Sequence, residues 1–282
     1  MIRNQKFLKV IRLTLTYIFL LIMVCVTVYP ILWLIGASFN TGDSLYSSTM
    51  FPKNPTLDHY RELMNNPDYP FYRWYWNTIK VAAMTAILGL VLCSLTAYAY
   101  SRFRFPGRKY GLMTMLVIQM FPSFMNMVAL YVLLNMAGLL DSHLGLVLVY
   151  AGTSIPFNTW ILKGYFDTIP KSLEEAALID GASRSTIFWR IMIPLSAPVL
   201  AVITIFHFVI PFGDFILARL LLTSVNKYTL TVGLFTLISN NFGKNWTTFT
   251  AGALLMAIPI VILYLSLQKY FISGLTKGAT KG

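Results

Sequence analysis

Charged side chains are scarce in this 282-residue chain, since Asp, Glu, Lys and Arg together make up only 11% of it. An ordinary soluble domain carries roughly 25%. Hydrophobic residues make up 57% of the chain, and its mean hydropathy is +0.66. One soluble core could not bury this much apolar side chain, so a lipid bilayer is the expected solvent. The composition excludes disordered and collagen-like chains and argues against a soluble enzyme.

Cysteine is equally rare, and Cys25 and Cys93 both lie inside apolar runs. Their spacing argues against a disulfide framework and against a zinc site. The chain lacks the pattern G-x-x-x-x-G-K-[ST], and with it the backbone cradle for a nucleotide phosphate. It also lacks a metal-binding set and a Ser–His pair at plausible membrane depth, which argues against an intramembrane enzyme. We therefore expect no catalytic residues, no metal and no cofactor in this chain.

Six apolar stretches are long enough to cross a bilayer, which takes about 20 residues. We predict spans at 13–39, 81–101, 110–134, 144–162, 191–217 and 245–268. Pro122 is expected to kink the third span, and residues 228–243 are expected to form an outer loop or short helix. The predicted fold class is an all-α membrane protein with six transmembrane helices.

Basic residues outnumber acidic residues by 22 to 10, which gives a net charge of +12. They lie between the apolar stretches without a continuous patch, so they do not indicate a nucleic-acid surface. Six spans place both termini on one side of the membrane, and fifteen of the 22 Lys and Arg residues fall on that side. Because cytoplasmic loops retain Lys and Arg, we predict a multi-pass protein of the cell membrane with both termini cytoplasmic.

The segment between the fourth and fifth predicted spans carries strong local signals. Ser172 is a good helix N-cap, and Glu175 three residues later completes a capping box. Gly181 can adopt the left-handed conformation that ends a helix. A second short helix is expected to begin near Ser183 or Ser185. These signals predict a small cytoplasmic helix-turn-helix, although alone they would also fit a surface helix resting on lipid headgroups.

The spacing within the loop at 163–193 is more specific than its helix signals. It reads E-A-A, three residues, G, nine residues, I, one residue and I-P, at Glu175, Ala176, Ala177, Gly181, Ile191, Ile193 and Pro194. This spacing resembles the EAA motif of ABC-importer permeases, E-A-A-x3-G-x9-I-x-L-P. Isoleucine in place of the family's leucine changes shape but not polarity. The motif also lies just before span five, on the side that the charge count makes cytoplasmic.

The resemblance extends well beyond the motif. Residues 160–182, the stretch Y-T-L-T-V-G-L at 228–234 and the tail G-L-T-K-G-A-T-K-G at 274–282 are similar to MalG-type permeases. These belong to the carbohydrate-uptake branch of type I ABC importers. The resemblance implies that family's six-span fold as a single permease domain over residues 1–282. It also implies oligosaccharide import, with maltose and maltodextrins as the expected substrates.

The resemblance further implies partners that supply what this chain lacks. A MalK-like pair of ATPase subunits would bind ATP and Mg²⁺, a larger MalF-like permease would complete the path, and an extracellular sugar-binding protein would deliver the oligosaccharide. The loop would form a coupling helix that docks on one ATPase subunit. Its glutamates are assigned to polar contacts, its alanines to close packing and its glycine to the turn. The expected coupling residues are Glu174, Glu175, Ala176, Ala177, Asp180 and Gly181.

Three further sets of residues are candidates with open alternatives. Tail residues that the resemblance places at the ATPase dimer interface are Leu275, Lys277 and Lys281. A frayed terminus would have the same composition. Outer-loop residues that suit contacts with sugar or the binding protein are Asn240, Asn241, Asn245 and Trp246, although ordinary loop composition explains them equally well. Polar residues of the third span that could line the path are Gln119 and Asn126.

His207 and Asp214 allow a competing interpretation. Ionisable groups inside a membrane are costly and are therefore candidates for function. These two would share a helix face if span five stays helical across Pro211. They could then serve a proton-coupled secondary carrier, which would need no ATPase. The other interpretation is a structural role near a proline-bent segment, which the intervening Pro211 favours.

Overall fold

The computed structural model describes residues 2–44, 49–239 and 245–279. Within those ranges the regular structure is helical throughout, which confirms the all-α prediction. The α-helices are α1 (Ile2–Ser38), α2 (Asp58–Asn65), α3 (Phe71–Arg102), α4 (Arg108–Gln119), α5 (Met127–Met136), α6 (His143–Thr168), α7 (Lys171–Ile179), α8 (Arg184–Ile187), α9 (Ile193–Leu195), α10 (Ala197–Gly213), α11 (Ile216–Leu221), α12 (Leu230–Ser239) and α13 (Trp246–Ala279). A π-helical turn at Phe188–Met192 joins α8 to α9.

Four helices of the described chain are long and apolar enough to cross a bilayer, namely Leu8–Ser38 within α1, all of α3, all of α6 and Trp246–Tyr270 within α13. Two pairs meet the same criteria only as bent units. These are α4 with Phe124–Met136, bent by 88°, and Arg184–Leu195 with α10, bent by 83°. The described ranges thus hold four such helices, or up to six if each bent pair is one span.

The third and fifth predicted spans are both broken near prolines that the sequence places in them. The sequence predicts a kink at Pro122, but α4 already ends at Gln119 and a 3₁₀ turn follows at Ser123–Asn126. In the fifth span, Ser196 separates α9 from α10 and Pro198 follows the break. Proline cannot donate a backbone hydrogen bond and clashes with the preceding helical turn, so it favours a break at both places.

Contacts divide the described residues into two compact units, where the sequence predicts one domain. The first unit comprises Met1–Tyr69 and Leu234–Leu255. The second comprises Pro70–Gly233 and Met256–Gly282. In the first unit, none of the most apolar 18-residue window of α1 is buried inside the chain. The long apolar surface of α1 is therefore left for lipid or for another subunit to cover.

The second unit is built around α3, α6 and α10. Their buried side chains form one core with those of the segment after α7, and its members include Ala97, Leu162, Phe166, Ile187, Met192 and Ile203. The hydroxyl of Ser142 accepts a hydrogen bond from the Leu144 N–H at 3.2 Å and so caps the start of α6. Inside a bilayer, close packing of this kind holds helices together because lipid is as apolar as their side chains.

α3 approaches α10 closely at Gly89. A Cβ atom at this position would lie 2.5 to 2.7 Å from three ring atoms of His207. The His207 ring is fully buried, and its Nδ1 lies 2.9 Å from the Ser154 hydroxyl on α6. Glycine therefore makes room for an imidazole that connects three helices.

Asp141 ties together the loops at the end of the bundle where α6 begins. Its carboxylate accepts hydrogen bonds from the N–H of Thr223 at 2.9 Å, the N–H of Ser224 at 3.0 Å and the Lys227 ammonium at 2.9 Å. Burial would raise the pKa of Asp141, but these hydrogen bonds, led by those of Ser224, outweigh burial and hold its pKa well below the usual range. The loop that carries the EAA spacing follows the other end of α6.

The close approach at Gly89 leads to a first prediction. We expect Gly89→Ala to destabilise the protein by about 1–3 kcal/mol, because the added methyl group overpacks the His207 site. The matched control is Gly152→Ala on α6, where a Cβ would meet no atom within 4 Å. Thermal unfolding of the two purified variants in detergent measures the difference. Equal unfolding temperatures would show that the core absorbs the methyl group.

Candidate coupling site and polar cavity

α7 begins two residues earlier than its sequence signals indicate. Pro170 occupies the N-cap position, the helix starts at Lys171, and no side chain caps it. The predicted capping box of Ser172 and Glu175 is therefore wrong. Proline suits this position because its φ is fixed, here at −58°. It also drives the preceding Ile169 into an extended conformation.

The end of α7 confirms the prediction for Gly181. This residue has a φ of 81°. Its N–H donates to the Leu178 carbonyl at 3.0 Å, and the Ala182 N–H donates to the Ala177 carbonyl at 2.9 Å. The two bonds form a Schellman motif, in which glycine alone adopts the left-handed conformation without strain.

Ser183, rather than Ser185, begins the second short helix. Its hydroxyl accepts a hydrogen bond from the Thr186 N–H at 3.1 Å. α8 and the π-helical turn then bury Ile187 and Phe188 in the core of the second unit. The predicted helix-turn-helix is therefore present and is anchored to the helix bundle at its second helix.

The surface of α7 combines the predicted polar positions with apolar ones that sequence reasoning missed. Ile179 is 87% exposed, and Leu173 is 45% exposed. Ala177 is half-buried against the core. Predicted coupling residues that are exposed are Glu175, Ala176, Asp180 and Gly181. Several large apolar side chains exposed together on one short helix make α7 a candidate docking element, and the A-A-L-I run before the glycine is the signal that could have revealed it.

Glu174 is not on that surface, which corrects its predicted role as a polar contact with a partner. Its side chain is 5% exposed and forms an ion pair with Arg102 at the end of α3, whose side chain is 4% exposed. The Tyr98 hydroxyl donates to the second carboxylate oxygen at 3.3 Å. Arg102 also donates to the Ile169 carbonyl at 3.0 Å. Glu174 therefore attaches the helix to its own bundle.

Polar contacts continue from this ion pair toward α6. Arg102 donates to the Ser101 hydroxyl at 2.7 Å, and that hydroxyl donates to Asp167 at 2.6 Å. The Lys163 ammonium lies 2.6 Å from the other oxygen of Asp167. These side chains, with Glu174, form a polar chain that connects α7, α3 and α6 at one end of the bundle.

A cavity of about 780 Å³ lies between α4, α6 and α10. Its polar lining residues are Gln119, Ser154 and Asn158, and its remaining lining is apolar. Gln119 donates to the Thr153 carbonyl at 2.8 Å. Asn126, the other predicted path residue, lines a separate cavity of about 430 Å³ beside Tyr150 and Asp214. The structure therefore places the two candidates at different cavities.

His207 and Asp214 do not form a pair. Asp214 accepts a hydrogen bond from the Tyr150 hydroxyl at 2.6 Å and another from the Ala218 N–H at 2.8 Å. Because α10 ends at Gly213, the helix does not extend to Asp214, and the condition for a helix face shared with His207 is not met. His207 instead lies 2.9 Å from the Ser154 hydroxyl, which corrects the expectation that the chain has no Ser–His pair inside the membrane. Both residues have structural partners on other elements.

Asn245 and Trp246 lie at the start of α13. The Asn245 side-chain oxygen accepts from the Thr248 N–H at 3.0 Å, and its amide donates to Glu62 at 3.0 Å. The side-chain oxygen and nitrogen of Asn245 both have hydrogen-bond partners within the first unit. Asn245 therefore stabilises this unit. Trp246 is half-buried, with its ring centroid 6.1 Å from that of Phe249.

The remaining candidates are less defined. Leu275 and Lys277 lie on the final turns of α13. Candidates that lie outside the described residues are Asn240, Asn241 and Lys281.

The apolar helices, the exposed side chains of α7 and the polar cavity are together typical of a membrane-embedded transport subunit. The model of the family of binding-protein-dependent transport system inner membrane components matches residues 89–277, and the chain belongs to this family. The resemblance to ABC-importer permeases drawn from the EAA spacing is thereby confirmed.

Individual relatives agree with the family. The chain is 47% identical over 283 residues to the galactooligosaccharides transport system permease protein GanQ of Bacillus subtilis (strain 168), with both chains covered completely. It is 42% identical to the maltodextrin transport system permease protein MdxG of the same organism, over 99% of this chain and all of the relative. It is 36% identical to the maltose/maltodextrin permease MalG of Escherichia coli (strain K12), over 96% of each.

Solved structures show the same fold. A crystal structure of a bacterial ABC transporter involved in the import of the acidic polysaccharide alginate contains a chain with a TM-score of 0.76 and 26% identity, over 92% of this chain and 95% of that one. These comparisons favour an ATP-driven permease and do not support the proton-coupled carrier.

The buried ion pair leads to a second prediction. We expect Arg102→Met to destabilise the protein by about 3–5 kcal/mol, because it leaves the Glu174 carboxylate buried without a partner. The double variant Arg102→Met/Glu174→Leu should recover much of that loss. Arg61→Met is the control, since its ion pair with Asp58 has both side chains more than 70% exposed and contributes little. Thermal unfolding in detergent compares them, and equal losses for Arg102→Met and Arg61→Met would contradict the assignment.

Proposed function

We propose that this chain is the permease subunit of an ATP-driven importer of neutral oligosaccharides and that α7 is its coupling helix. The observation that carries the proposal is the exposed face of α7, a helix that ends at a glycine in the left-handed conformation. The chain that carries this helix belongs to the permease family. The sequence contains no nucleotide-binding pattern, so ATP and Mg²⁺ would be bound by a partner ATPase pair. Closure of those subunits would move α7, and with it the bundle.

Rigid attachment is what would allow α7 to transmit force. Its exposed residues would contact the ATPase while Glu174 holds its inner side to α3 through Arg102. A displacement of α7 would therefore reach α3 directly, and the helices packed on α3 would follow. The conformational states of the permease must differ in their contacts with the ATPase. A ligand shifts an equilibrium between two states only if it binds them with different affinity.

The chemistry of the larger cavity supports a neutral substrate. Its lining offers the amides of Gln119 and Asn158 and the hydroxyl of Ser154, with no charged side chain among its lining residues. Amides and hydroxyls can donate to and accept from sugar hydroxyls without the cost of burying a charge. The similarity to permeases for galactooligosaccharides and for maltodextrins supports both as candidate substrates, with the maltodextrins expected from the sequence.

The uncovered surface of α1 supports a second permease as partner. A helix with no buried residue in its most apolar window contributes nothing to a bundle core of its own chain. A larger second permease would complete the translocation path and cover part of α1. An extracellular binding protein would deliver the sugar to the side opposite α7, and both termini would be cytoplasmic with the tail at the ATPase interface.

Gly181 provides a test of coupling. We expect Gly181→Asp to leave membrane insertion intact and to reduce ATP hydrolysis stimulated by the loaded binding protein at least tenfold, because it distorts the end of α7. Gly138→Asp is the matched control, since Gly138 also has a positive φ, of 66°, but lies in the loop between α5 and α6. Stimulated ATPase activity in proteoliposomes measures the effect. Normal coupling by Gly181→Asp, or an equal loss in both variants, would contradict the role of α7.

Gln119 provides a test of the path. We expect Gln119→Leu to lower oligosaccharide uptake about two- to tenfold, because one hydrogen-bonding group at the cavity is lost. Gln268→Leu on exposed α13 is the control and should leave uptake unchanged. Uptake of labelled maltotriose and of a labelled galactotriose, with unlabelled uronate oligosaccharide as competitor, measures both the effect and the substrate class. Effective competition by the uronate would count against a neutral path.

A further inference from the structure

A second cavity, of about 740 Å³, lies at the end of the bundle that carries α7. It is bounded by the end of α3, the first turns of α4 and the last third of α6. It shares no lining residue with the cavity proposed as the path. Neither the EAA motif nor the path therefore accounts for it.

One part of this cavity is strongly basic. Its lining residues include three cations and no carboxylate, namely Arg108, Lys109 and Lys163. Arg108 is fixed by hydrogen bonds from its guanidinium to the Tyr100 carbonyl at 2.8 Å and the Ser101 carbonyl at 3.0 Å, which leave further N–H groups to donate. Lys109 is exposed and lies 5.0 Å from the Tyr110 ring centroid. Asp167, which pairs with Lys163, offsets one of these charges.

The rest of the cavity is apolar. Leu112 and Leu116 lie one turn apart on α4, and Met113 and Trp160 are 65% and 54% exposed on its walls. Tryptophan beside cations is typical of the membrane–water interface. The cavity thus presents a cationic end at the helix termini and an apolar wall that runs along α4, away from them.

We propose that this cavity binds an anionic phospholipid, with its phosphodiester at Lys109, Lys163 and Arg108 and one acyl chain along α4. The three cations complement a headgroup with a net negative charge and disfavour the ammonium group of a zwitterionic lipid. An apolar wall beside the cations fits a molecule that is an anion at one end and hydrocarbon at the other. Basic sites between helices at the membrane surface recognise lipid phosphates in this way.

Charge neutralisation tests the binding site directly. The importer, purified with all its subunits, is titrated with phosphatidylglycerol or phosphatidylcholine, and bound lipid is counted by native mass spectrometry. We expect Lys109→Gln to weaken phosphatidylglycerol binding roughly fivefold, the equivalent of about 1 kcal/mol for one interfacial cation. Lys163→Gln should weaken it as well. Arg104→Gln is the matched control, because Arg104 is an exposed cation in the loop just before α4 and does not line the cavity.

Three results of this titration would overturn the proposal: equal retention of phosphatidylglycerol by wild type, Lys109→Gln and Lys163→Gln; an equal loss in Arg104→Gln; or equal affinity of the wild type for the two lipids.

A second measurement locates the acyl chain. Phosphatidylglycerol with brominated chains should quench tryptophan fluorescence more than its phosphatidylcholine analogue does. Trp160→Phe should remove that excess. An excess that persists in Trp160→Phe, or no excess in the wild type, would show that no acyl chain lies beside Trp160 and would overturn the proposal.

Discussion

The ion pair between Glu174 and Arg102 is the constraint on which the architecture around α7 depends. Moving two charges out of water costs several kcal/mol for each ion, and attraction offsets this only where further hydrogen bonds satisfy both groups. Here the Tyr98 hydroxyl, the Ile169 carbonyl and the Ser101 hydroxyl provide them. Because the carboxylate leaves its site only at a high energetic cost, α7 is held to α3 in a defined orientation. The ion pair therefore also fixes which side of α7 is exposed.

The two broken spans show how the same chain combines rigidity with a polar interior. Backbone groups freed by a break in a membrane helix need partners, so such breaks occur where they are buried in protein or line a cavity. Gln119, the last residue of α4, uses its side chain to satisfy the Thr153 carbonyl and lines the larger cavity. At the second break, the Ser196 N–H lies 3.1 Å from the carbonyls of Met192 and Ile193. The break after α4 thus places the polar side chain of Gln119 at the larger cavity.

Local signals in the sequence predicted the features that depend on local physics. Apolar length marked the long helices, glycine marked the end of α7, and Ser183 marked the start of α8. The capping box of Ser172 and Glu175 is a local error, because Pro170 begins the helix instead. The other errors concern residues whose role depends on distant partners. From the sequence alone, Glu174 is expected to be an acidic residue on the surface. It is buried because it pairs with Arg102, which lies 72 positions away in the sequence. Asn245 reads as a loop residue until Glu62 and the backbone of Thr248 occupy its amide.

The bare surface of α1 has a consequence for how the protein is produced. A newly inserted copy holds this helix without burying any residue of its most apolar window, so local packing stabilises it little. Copies made in excess of the proposed second permease would keep it uncovered and would be open to membrane proteases and to unspecific association. Balanced synthesis of the two permeases, such as translation from one transcript, would spare the cell these orphan subunits.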